Sequence, residues 1–308
     1  MSTLLLIDGN AIMHRAFHAL PPLKTKDGFP TNAIFGFIST VNKVVSDYQP
    51  NYLVVCFDTP TPTFRKKIFE KYQAQRPKLE DDLVVQFPIV KQALDAAGIF
   101  HLEKPGYEAD DLIGTISNLY KQNDIRVLIV SGDRDILQLV DKNIFVITPQ
   151  IGYSESKIYD RETVKSKFNI SPNQIPDFKA LVGDPSDNYP GAKGIGPKTA
   201  AKLLNQFGTV EEIFKNLEKI DKKTRKVLQQ YKEDIFLSYQ LAKIITNVPV
   251  NFDIEKAKFE GFNQNLKEFL LKYGIKSLTE RIFKTDQKQP TKYSTDKKIS
   301  NDNQIKLF

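Results

Sequence analysis

The sequence predicts an α/β fold, in which a mostly parallel sheet with flanking helices precedes a C-terminal helical domain. The first observation is a set of apolar runs that are continuous rather than alternating, as expected of parallel strands buried on both faces. Helical periodicity lies between these runs, and a β-α-β-α order favours a parallel sheet. The predicted strands are Leu4–Asp8, Tyr52–Asp58, Arg126–Asp133 and Asn143–Thr148. The predicted helices are Asn32–Tyr48, Asp82–Ala97 and Tyr107–Gln122.

The chain is expected to divide into three parts. Beyond about residue 160, short helical patterns alternate with Gly and Pro turns, such as Gly183-Asp184-Pro185. We therefore predict an α/β domain over residues 1–165 and a helical domain over residues 166–283. Residues 284–308 contain few apolar side chains, which cannot offset the entropy lost on ordering. This tail is predicted to be disordered.

Composition excludes several classes of protein. The 308 residues carry a net charge of +7, which permits a nucleic-acid partner without demonstrating one. No apolar stretch approaches the roughly 20 residues of a transmembrane helix, and the run Leu4–Ile7 is too short for a signal peptide. The single Cys56 cannot form an internal disulfide, which favours a reducing cytoplasm. With three His and one Cys, a bound metal is expected to have oxygen ligands, as Mg²⁺ and Mn²⁺ do.

Acidic residues stand at the ends of the predicted elements. Three strands end in Asp8, Asp58 and Asp133, and the carboxyl ends of parallel strands form a ligand crevice. Six more acids lie at helix starts and turns: Glu108, Asp110, Asp111, Asp135, Asp184 and Asp187. Such a cluster repels itself unless cations sit within it, so it predicts divalent ions of the kind that support phosphoryl transfer. Each acid alone is equally explained as a turn former or helix cap, and Asp111 is the strongest case for a helix-dipole role.

Residues 193–204, KGIGPKTAAKLL, predict a helix-hairpin-helix element. Glycines permit a tight turn, and the exposed amides at the start of the second helix can hold a phosphate. The candidate DNA contacts are Lys193, Gly194, Gly196, Lys198, Thr199 and Lys202. An ordinary helix C-cap followed by a turn is the alternative interpretation.

Residues 64–78 form a basic segment with six cations, one acid and interleaved aromatics. Cations that follow phosphates and aromatics that stack on bases are typical of a groove for single-stranded nucleic acid. The candidate contacts in this segment are Arg65, Lys66, Lys67, Tyr72 and Arg76. A solvated charged helix face is the alternative.

Six motifs in one consistent order point to a known family: IDGNAIMHRAFHALPP, GFPTNAIFGF, FDTPTPTFRKKIFEKYQAQRP, GYEADDLIGT, VSGDRDILQLV and VGDPSDNYPGAKGIGPKTAAKLL. Over about residues 1–283 the chain resembles the 5′-nuclease domain of bacterial DNA polymerase I, a member of the flap endonuclease family. The resemblance implies a PIN/flap-nuclease-like fold. It also implies a monomeric, Mg²⁺-dependent 5′ nuclease acting on 5′ flaps, nicked duplexes and RNA-primer ends. Such an enzyme would work in bacterial DNA replication and repair, in the cytoplasm at the nucleoid.

The resemblance also assigns roles to residues. It implies a first metal group of Asp8, Asp58, Glu108, Asp110 and Asp111, and a second of Asp133, Asp135, Asp184 and Asp187. Arg15 matches a basic residue near the scissile phosphate. The segment near residues 62–80 matches the helical arch that a free 5′ end enters. The hairpin matches the element that grips the downstream duplex, with a K⁺ ion at its carbonyls.

Two features depart from the family pattern. The arch position that usually carries a lysine holds Gln73, which leaves Arg76, with Lys71 or Lys67, as the candidate catalytic cations. Because an amide cannot replace an ammonium charge, we expect Gln73→Lys to raise the cleavage rate. No polymerase domain follows residue 283, which indicates a free-standing nuclease.

The tail ends in a short motif of its own. Gln304, Ile305, Leu307 and Phe308 resemble the peptide with which bacterial replication proteins bind the sliding clamp. A short motif on a tether is a plausible docking device, and a chance pentapeptide is the alternative.

Two other functions stay open for the chain as a whole. One is a non-catalytic module that recognises flap or junction DNA and recruits partners. The other is a metal-dependent ribonuclease with a related fold. Intact acids argue against the first, and the arch with the hairpin argues against the second.

Overall fold

The computed structural model describes residues 1–121, 124–149 and 156–284, and a six-stranded sheet forms its centre. The strands are β1 Ser2–Asp8, β2 Tyr52–Phe57, β3 Phe100–Glu103, β4 Ile125–Val130, β5 Ile144–Thr148 and β6 Lys157–Tyr159. Their order is β3-β2-β1-β4-β5-β6, and each neighbouring pair is parallel except β5 with β6. The predicted mostly parallel sheet is therefore confirmed.

Helices surround the sheet and make up the C-terminal part. In the first half they are α1 Gly9–Ala19, α2 Asn32–Tyr48, α3 Phe64–Ile68, α4 Asp81–Val84, α5 Gln86–Ala97 and α6 Ala109–Tyr120. In the second half they are α7 Arg161–Phe168, α8 Ile175–Val182, α9 Pro197–Phe207, α10 Val210–Lys215, α11 Lys222–Gln230, α12 Lys232–Ala242, α13 Gln264–Lys272 and α14 Lys276–Lys284. None of the helices in the described ranges is long and apolar enough to cross a membrane.

Hydrophobic cores cover both faces of the sheet. Along β1, Leu4 and Leu6 face one core while Leu5 and Ile7 face the other, and all four are fully buried. Because side chains alternate between the two faces of a strand, burial on both sides requires an unbroken apolar run. This is why the strands read as continuous hydrophobic stretches in the sequence.

Three details differ from the sequence prediction. Strands β3 and β6 were not predicted, because FHLE and KIY are short and mix polar with apolar residues. The predicted helix over 82–97 is divided at Val85 into α4 and α5. Pro88 explains the division, since it has no N–H to donate to the carbonyl of Val84.

Helices α13 and α14 return to the α/β part of the molecule. Helix α13 packs on α5 and α14 on α2. Leu266, Leu270 and Leu278 are fully buried in the same core as Leu5 and Ile7. The last helices thus cover one face of the sheet, although they follow the hairpin region in the sequence. The predicted tail, including the motif Gln304–Phe308, lies outside the described residues.

Candidate active site

A cavity opens where the strand order reverses. Strand β1 lies between β2 and β4, so successive crossovers leave it in opposite directions, and ligands of parallel sheets bind at such a point. Asp8 ends β1, Asp58 follows β2, and Asp133 follows β4 after a two-residue turn. All three carboxylates line one cavity of about 860 Å³. The predicted convergence of the strand-end acids is confirmed.

Local hydrogen bonds fix the strand-end acids in place. Asp8 caps α1 by accepting a hydrogen bond from the Ala11 amide at 2.9 Å, and its second oxygen accepts one from Ser131 Oγ at 2.8 Å. Asp58 Oδ1 accepts a hydrogen bond from the Ala109 amide at 2.7 Å, which ties β2 to the start of α6. The same carboxylates therefore hold the local backbone and line the cavity. A capping role and a role in the site do not exclude each other.

Three acids of the cavity, Asp8, Glu108 and Asp110, are unfavourable as unpaired anions. Burial, followed by repulsion from Asp58 and Asp133, raises the pKa of Asp8 to about 7. Burial also raises the pKa of Glu108 to about 7, although Arg65 opposes the shift. Burial and the charges of Asp8 and Asp133 hold the pKa of Asp110 well above its ordinary value. Crowded, dehydrated carboxylates of this kind fit a divalent cation, whose charge would offset their repulsion.

A second group of acids lies beside the first. Oxygen atoms of Asp135, Asp184 and Asp187 all lie within 4.8 Å of one another. Asp135 begins a 3₁₀ turn after β4, whereas Asp184 and Asp187 occupy the loop between α8 and α9. Protein cations already contact this group: the Lys179 ammonium bridges Asp135 and Asp184, and Arg76 Nη2 lies 2.6 Å from Asp187 Oδ1.

Lys179 changes the electrostatics of this second group. Burial by itself would raise the pKa of Asp184. The hydrogen bonds from Lys179 and Ser186, together with the lysine charge, bring the pKa below its ordinary value. Asp184 is thus stabilised as a carboxylate by the protein itself.

Asp111 and Arg65 form a buried ion pair beside the cavity. Asp111 is fully buried, and both of its oxygens accept hydrogen bonds from the Arg65 guanidinium at 2.8 Å. The amides of Ile245 and Glu108 also donate to Asp111. Each of its oxygens already accepts two hydrogen bonds, and a metal-ligand role for Asp111 stays a prediction. Arg65 is only 2% exposed although it contributes to the lining of the cavity, and its predicted contact with DNA stays a prediction.

Tyr72 and Gln73 connect the basic segment to the acids. Tyr72 is buried, its ring stacks on Tyr189, and its hydroxyl lies 3.2 Å from Asp187 Oδ2. Its ring is thus occupied by Tyr189 here, and the predicted contact of Tyr72 with DNA stays a prediction. Gln73 adopts a left-handed backbone with φ of 54°, and its amide Nε2 donates to Asp187 Oδ1 at 3.3 Å. Both residues therefore hold the segment against the second acid group.

The predicted cations fall into two sets. Arg15, Arg65, Lys66 and Arg76 line the cavity. Lys67 and Lys71 are exposed and are not part of the cavity lining. The catalytic role of Lys71 therefore stays a prediction.

The hairpin presents its basic residues to solvent. Residues 193–204 span the end of the α8–α9 loop and most of α9, and Pro197 occupies the first helical position. Gly194 has φ of 107°, a conformation that L side chains rarely adopt. Lys193, Lys198 and Lys202 are exposed, as are Gly194 and Gly196, while Thr199 is half-buried. Gly196 has no side chain to cap α9, so the helix start can accept an external anion.

Sequence reasoning missed Lys179 and Ser131. Ser131 follows β4 directly at the edge where the strand-end acids meet, so its position was a usable signal. Lys179 lies 44 residues from Asp135, and no local pattern reveals that contact.

Comparison with known proteins agrees with this geometry. Residues 3–169 match the 5′-3′ exonuclease N-terminal resolvase-like domain, and residues 170–265 match the 5′-3′ exonuclease C-terminal SAM fold. A 5′-3′ exonuclease of Aquifex aeolicus is 44% identical over 92% of this chain and 96% of its own. The DNA polymerase I of Caldicellulosiruptor bescii is 42% identical over 91% of this chain, which spans only 33% of that polymerase.

Solved structures show the same fold. A bacteriophage T5 flap endonuclease in a complex with DNA and metal ions has a TM-score of 0.65 at 21% identity, covering 93% of this chain and 100% of its own. The catalytic core of Rad2 in complex with DNA substrate has a TM-score of 0.58 at 16% identity, covering 91% and 92%.

A carboxylate-lined cavity at the switch point of a parallel sheet, joined to a helical hairpin, is the architecture of a nuclease. The chain belongs to the 5′-3′ exonuclease family.

Proposed function

We propose that this nuclease is structure-specific and hydrolyses phosphodiester bonds at 5′ flaps, nicks and RNA-primer ends during DNA replication and repair. The observation that carries the proposal is the acidic cavity, which is lined in part by the basic segment, residues 64–78. The hairpin, residues 193–204, supports it with its exposed lysines. The T5 and Rad2 structures, each bound to DNA, support DNA as the substrate. We place this activity in the bacterial cytoplasm, with the protein acting as a monomer at the nucleoid.

We further propose that the acids hold two divalent ions, Mg²⁺ or Mn²⁺. The residues of the first site would be Asp8, Asp58, Glu108 and Asp110, and those of the second would be Asp133, Asp135, Asp184 and Asp187. Bound there, such ions lower the pKa of a water molecule and offset the charge that develops on the phosphate. The raised pKa values of Asp8, Glu108 and Asp110 support this assignment.

The basic residues of the cavity would position the substrate. Arg15 is half-buried on α1 and lines the cavity with Lys66, so both can meet a phosphate that enters it. Arg76 is half-exposed while it pairs with Asp187. Its guanidinium can therefore turn from Asp187 to a substrate phosphate without moving a buried group. In the hairpin, the amides at the start of α9 would hold the duplex backbone, and a K⁺ ion at the loop carbonyls would assist them.

Contact with the sliding clamp through Gln304–Phe308 also stays a proposal. Deleting these five residues should abolish binding to the cognate clamp while flap cleavage continues at the full rate. Full-length protein that shows no clamp binding in a titration would contradict it.

Single-turnover cleavage of a 5′-labelled double-flap DNA tests the proposed function. The reactions compare Mg²⁺ with EDTA, and the wild-type protein with Asp133→Asn/Asp135→Asn. A matched control is Asp27→Asn/Asp47→Asn, which changes two exposed acids outside the cavity lining. We expect metal-dependent incision near the flap junction in the wild type and the control only. Tight flap binding without incision under any divalent metal would indicate a recruiting module, and preference for single-stranded RNA would indicate a ribonuclease.

A further inference from the structure

We propose that Lys179 is a positioning residue that sets the affinity of the second acid group for a divalent ion. Its ammonium occupies a cation position between Asp135 and Asp184, holds the two carboxylates together without metal, and weakens ion binding there. The inference rests on the proposed metal dependence and adds a control element to it.

The contact is made by buried, convergent groups. The Lys179 side chain is 18% exposed, and those of Asp135 and Asp184 are 12% and 9% exposed. One ammonium contacts Asp135 Oδ1 and Asp184 Oδ2 together. These two residues belong to the triad of carboxylates, completed by Asp187, whose oxygens lie close enough to share one ion. A lysine at this place and a divalent ion therefore compete for the same oxygens.

The backbone fixes this arrangement. Helix α8 ends where the Gly183 amide donates to the Lys179 carbonyl at 2.7 Å, and Gly183 then adopts φ of 81°. A side chain at Gly183 would approach the Gly191 amide nitrogen to 2.5 Å, so the two loop strands touch through their backbones. Asp184 and Tyr189 exchange two backbone hydrogen bonds of 3.1 and 3.2 Å across this loop. The turn thus places the Asp184 carboxylate beside the Lys179 ammonium.

The second acid group differs from the first in this respect. In the first group Arg65 pairs with Glu108 at 3.2 Å, and among the described residues no lysine or arginine forms an ion pair with Asp8, Asp58 or Asp110. In the second group Lys179 bridges two of the three acids and Arg76 pairs with the third. An ion that enters the second site must displace or repel the Lys179 ammonium, which costs affinity. The displaced ammonium would find a new partner in a substrate phosphate. The second ion would accordingly bind best together with DNA.

Calorimetric titration of the full chain with Mn²⁺ tests this inference. The variants are Lys179→Met, which removes the charge, and Lys179→Arg, which keeps it. Lys272→Met on α13 is the matched control for loss of an exposed lysine. An Asp135→Asn variant identifies which step of the isotherm belongs to the second site. We expect Lys179→Met to tighten that step about tenfold. Lys179→Arg and Lys272→Met should stay within about twofold of wild type.

Thermal melts separate this role from a purely structural one. In EDTA, Lys179→Met should melt below wild type, because the triad loses its counter-charge. Its gain in melting temperature with Mn²⁺ should exceed that of wild type, because tighter binding stabilises more. If the variant unfolds in the absence of metal, the melts are repeated over a range of Mn²⁺ concentrations. In that case the inference is supported if the Mn²⁺ concentration that refolds the variant is lower than the concentration that raises the melting temperature of wild type. No refolding in Mn²⁺ overturns it.

Two outcomes distinguish the inference from the proposed function. Wild-type protein that binds no Mn²⁺ contradicts both. Wild-type protein that binds two ions, with second-site affinity unchanged or weakened in Lys179→Met, contradicts the role of Lys179 alone.

Discussion

The two acid groups of the candidate active site differ in how their negative charge is offset. Burial raises the pKa values of Asp8, Asp58 and Asp110, none of which has a lysine or arginine ion-pair partner among the described residues. Glu108, the fourth acid of this group, pairs with Arg65. Asp135, Asp184 and Asp187 are paired with Lys179 and Arg76. Protein cations therefore offset less of the negative charge in the first group than in the second, where Lys179 and Arg76 lie. If the proposed ions bind, we expect tighter binding at the first group than at the second.

Adjacent residues on α6 give the sharpest test of this comparison. Asp110→Asn should lower the single-turnover rate by about a thousandfold, because it removes charge from the cavity. Its stability should be unchanged or higher, since a repelled buried charge is lost. Asp111→Asn should instead lower the free energy of unfolding by about 3–5 kcal/mol, because the buried Arg65 loses its bidentate carboxylate partner and keeps only Glu108. Urea unfolding and Mn²⁺ titration measure both effects.

Asp111→Asn also serves as the control for the metal-binding effect of Asp110→Asn. Asp111→Asn should bind Mn²⁺ as the wild type does under conditions where it is folded. Loss of metal binding in Asp111→Asn with normal stability would show that Asp111 is a ligand after all.

The stability of the metal-free protein should fall as pH rises from about 5 to 8. The pKa values of Asp8 and Glu108 are raised from 3.8 and 4.5 to about 7. Groups with raised pKa values stabilise the fold fully below their unfolded pKa, and this contribution is lost as pH passes the folded value. The pKa of Asp184 is lowered, so its stabilising contribution is lost only in acid, below this window. We expect a loss of about 2–4 kcal/mol.

Urea unfolding in EDTA across this range measures the effect. Excess Mg²⁺ should flatten the profile, because metal binds the deprotonated carboxylates and replaces the missing counter-charge. A metal-free profile that is level or rises with pH would contradict the electrostatic description of the first group.

Replacing Gln73 should have the smallest effect. Gln73→Lys adds a charge beside Asp187, where Arg76 already lies, and we expect the single-turnover rate to rise by a few-fold, on the order of 1 kcal/mol. Gln73→Met, which has similar size and no charge, is the control. A rate that stays level or falls would show that Arg76 alone meets the need for a cation at this position.

The sequence predicted the helices and strands that follow from local patterns of residues. It did not predict contacts between residues that are far apart in the chain. Continuous apolar strands ending in Asp8 and Asp58 revealed both the sheet and the cavity. Helical spacing placed Asp111 on the face of Glu108 but could not show that Arg65, 46 residues earlier, lies there as its partner. The same limit hid Lys179, whose contact with Asp135 joins α8 to the turn that follows β4.

The cleavage rate of a double-flap DNA as a function of Mg²⁺ concentration tests the central claim most directly. The account predicts no incision in EDTA and a rate that rises with an order above one, because two acid groups must both be filled. It also predicts that the incision lies at the flap junction. Incision that continues at the full rate without divalent metal would contradict it.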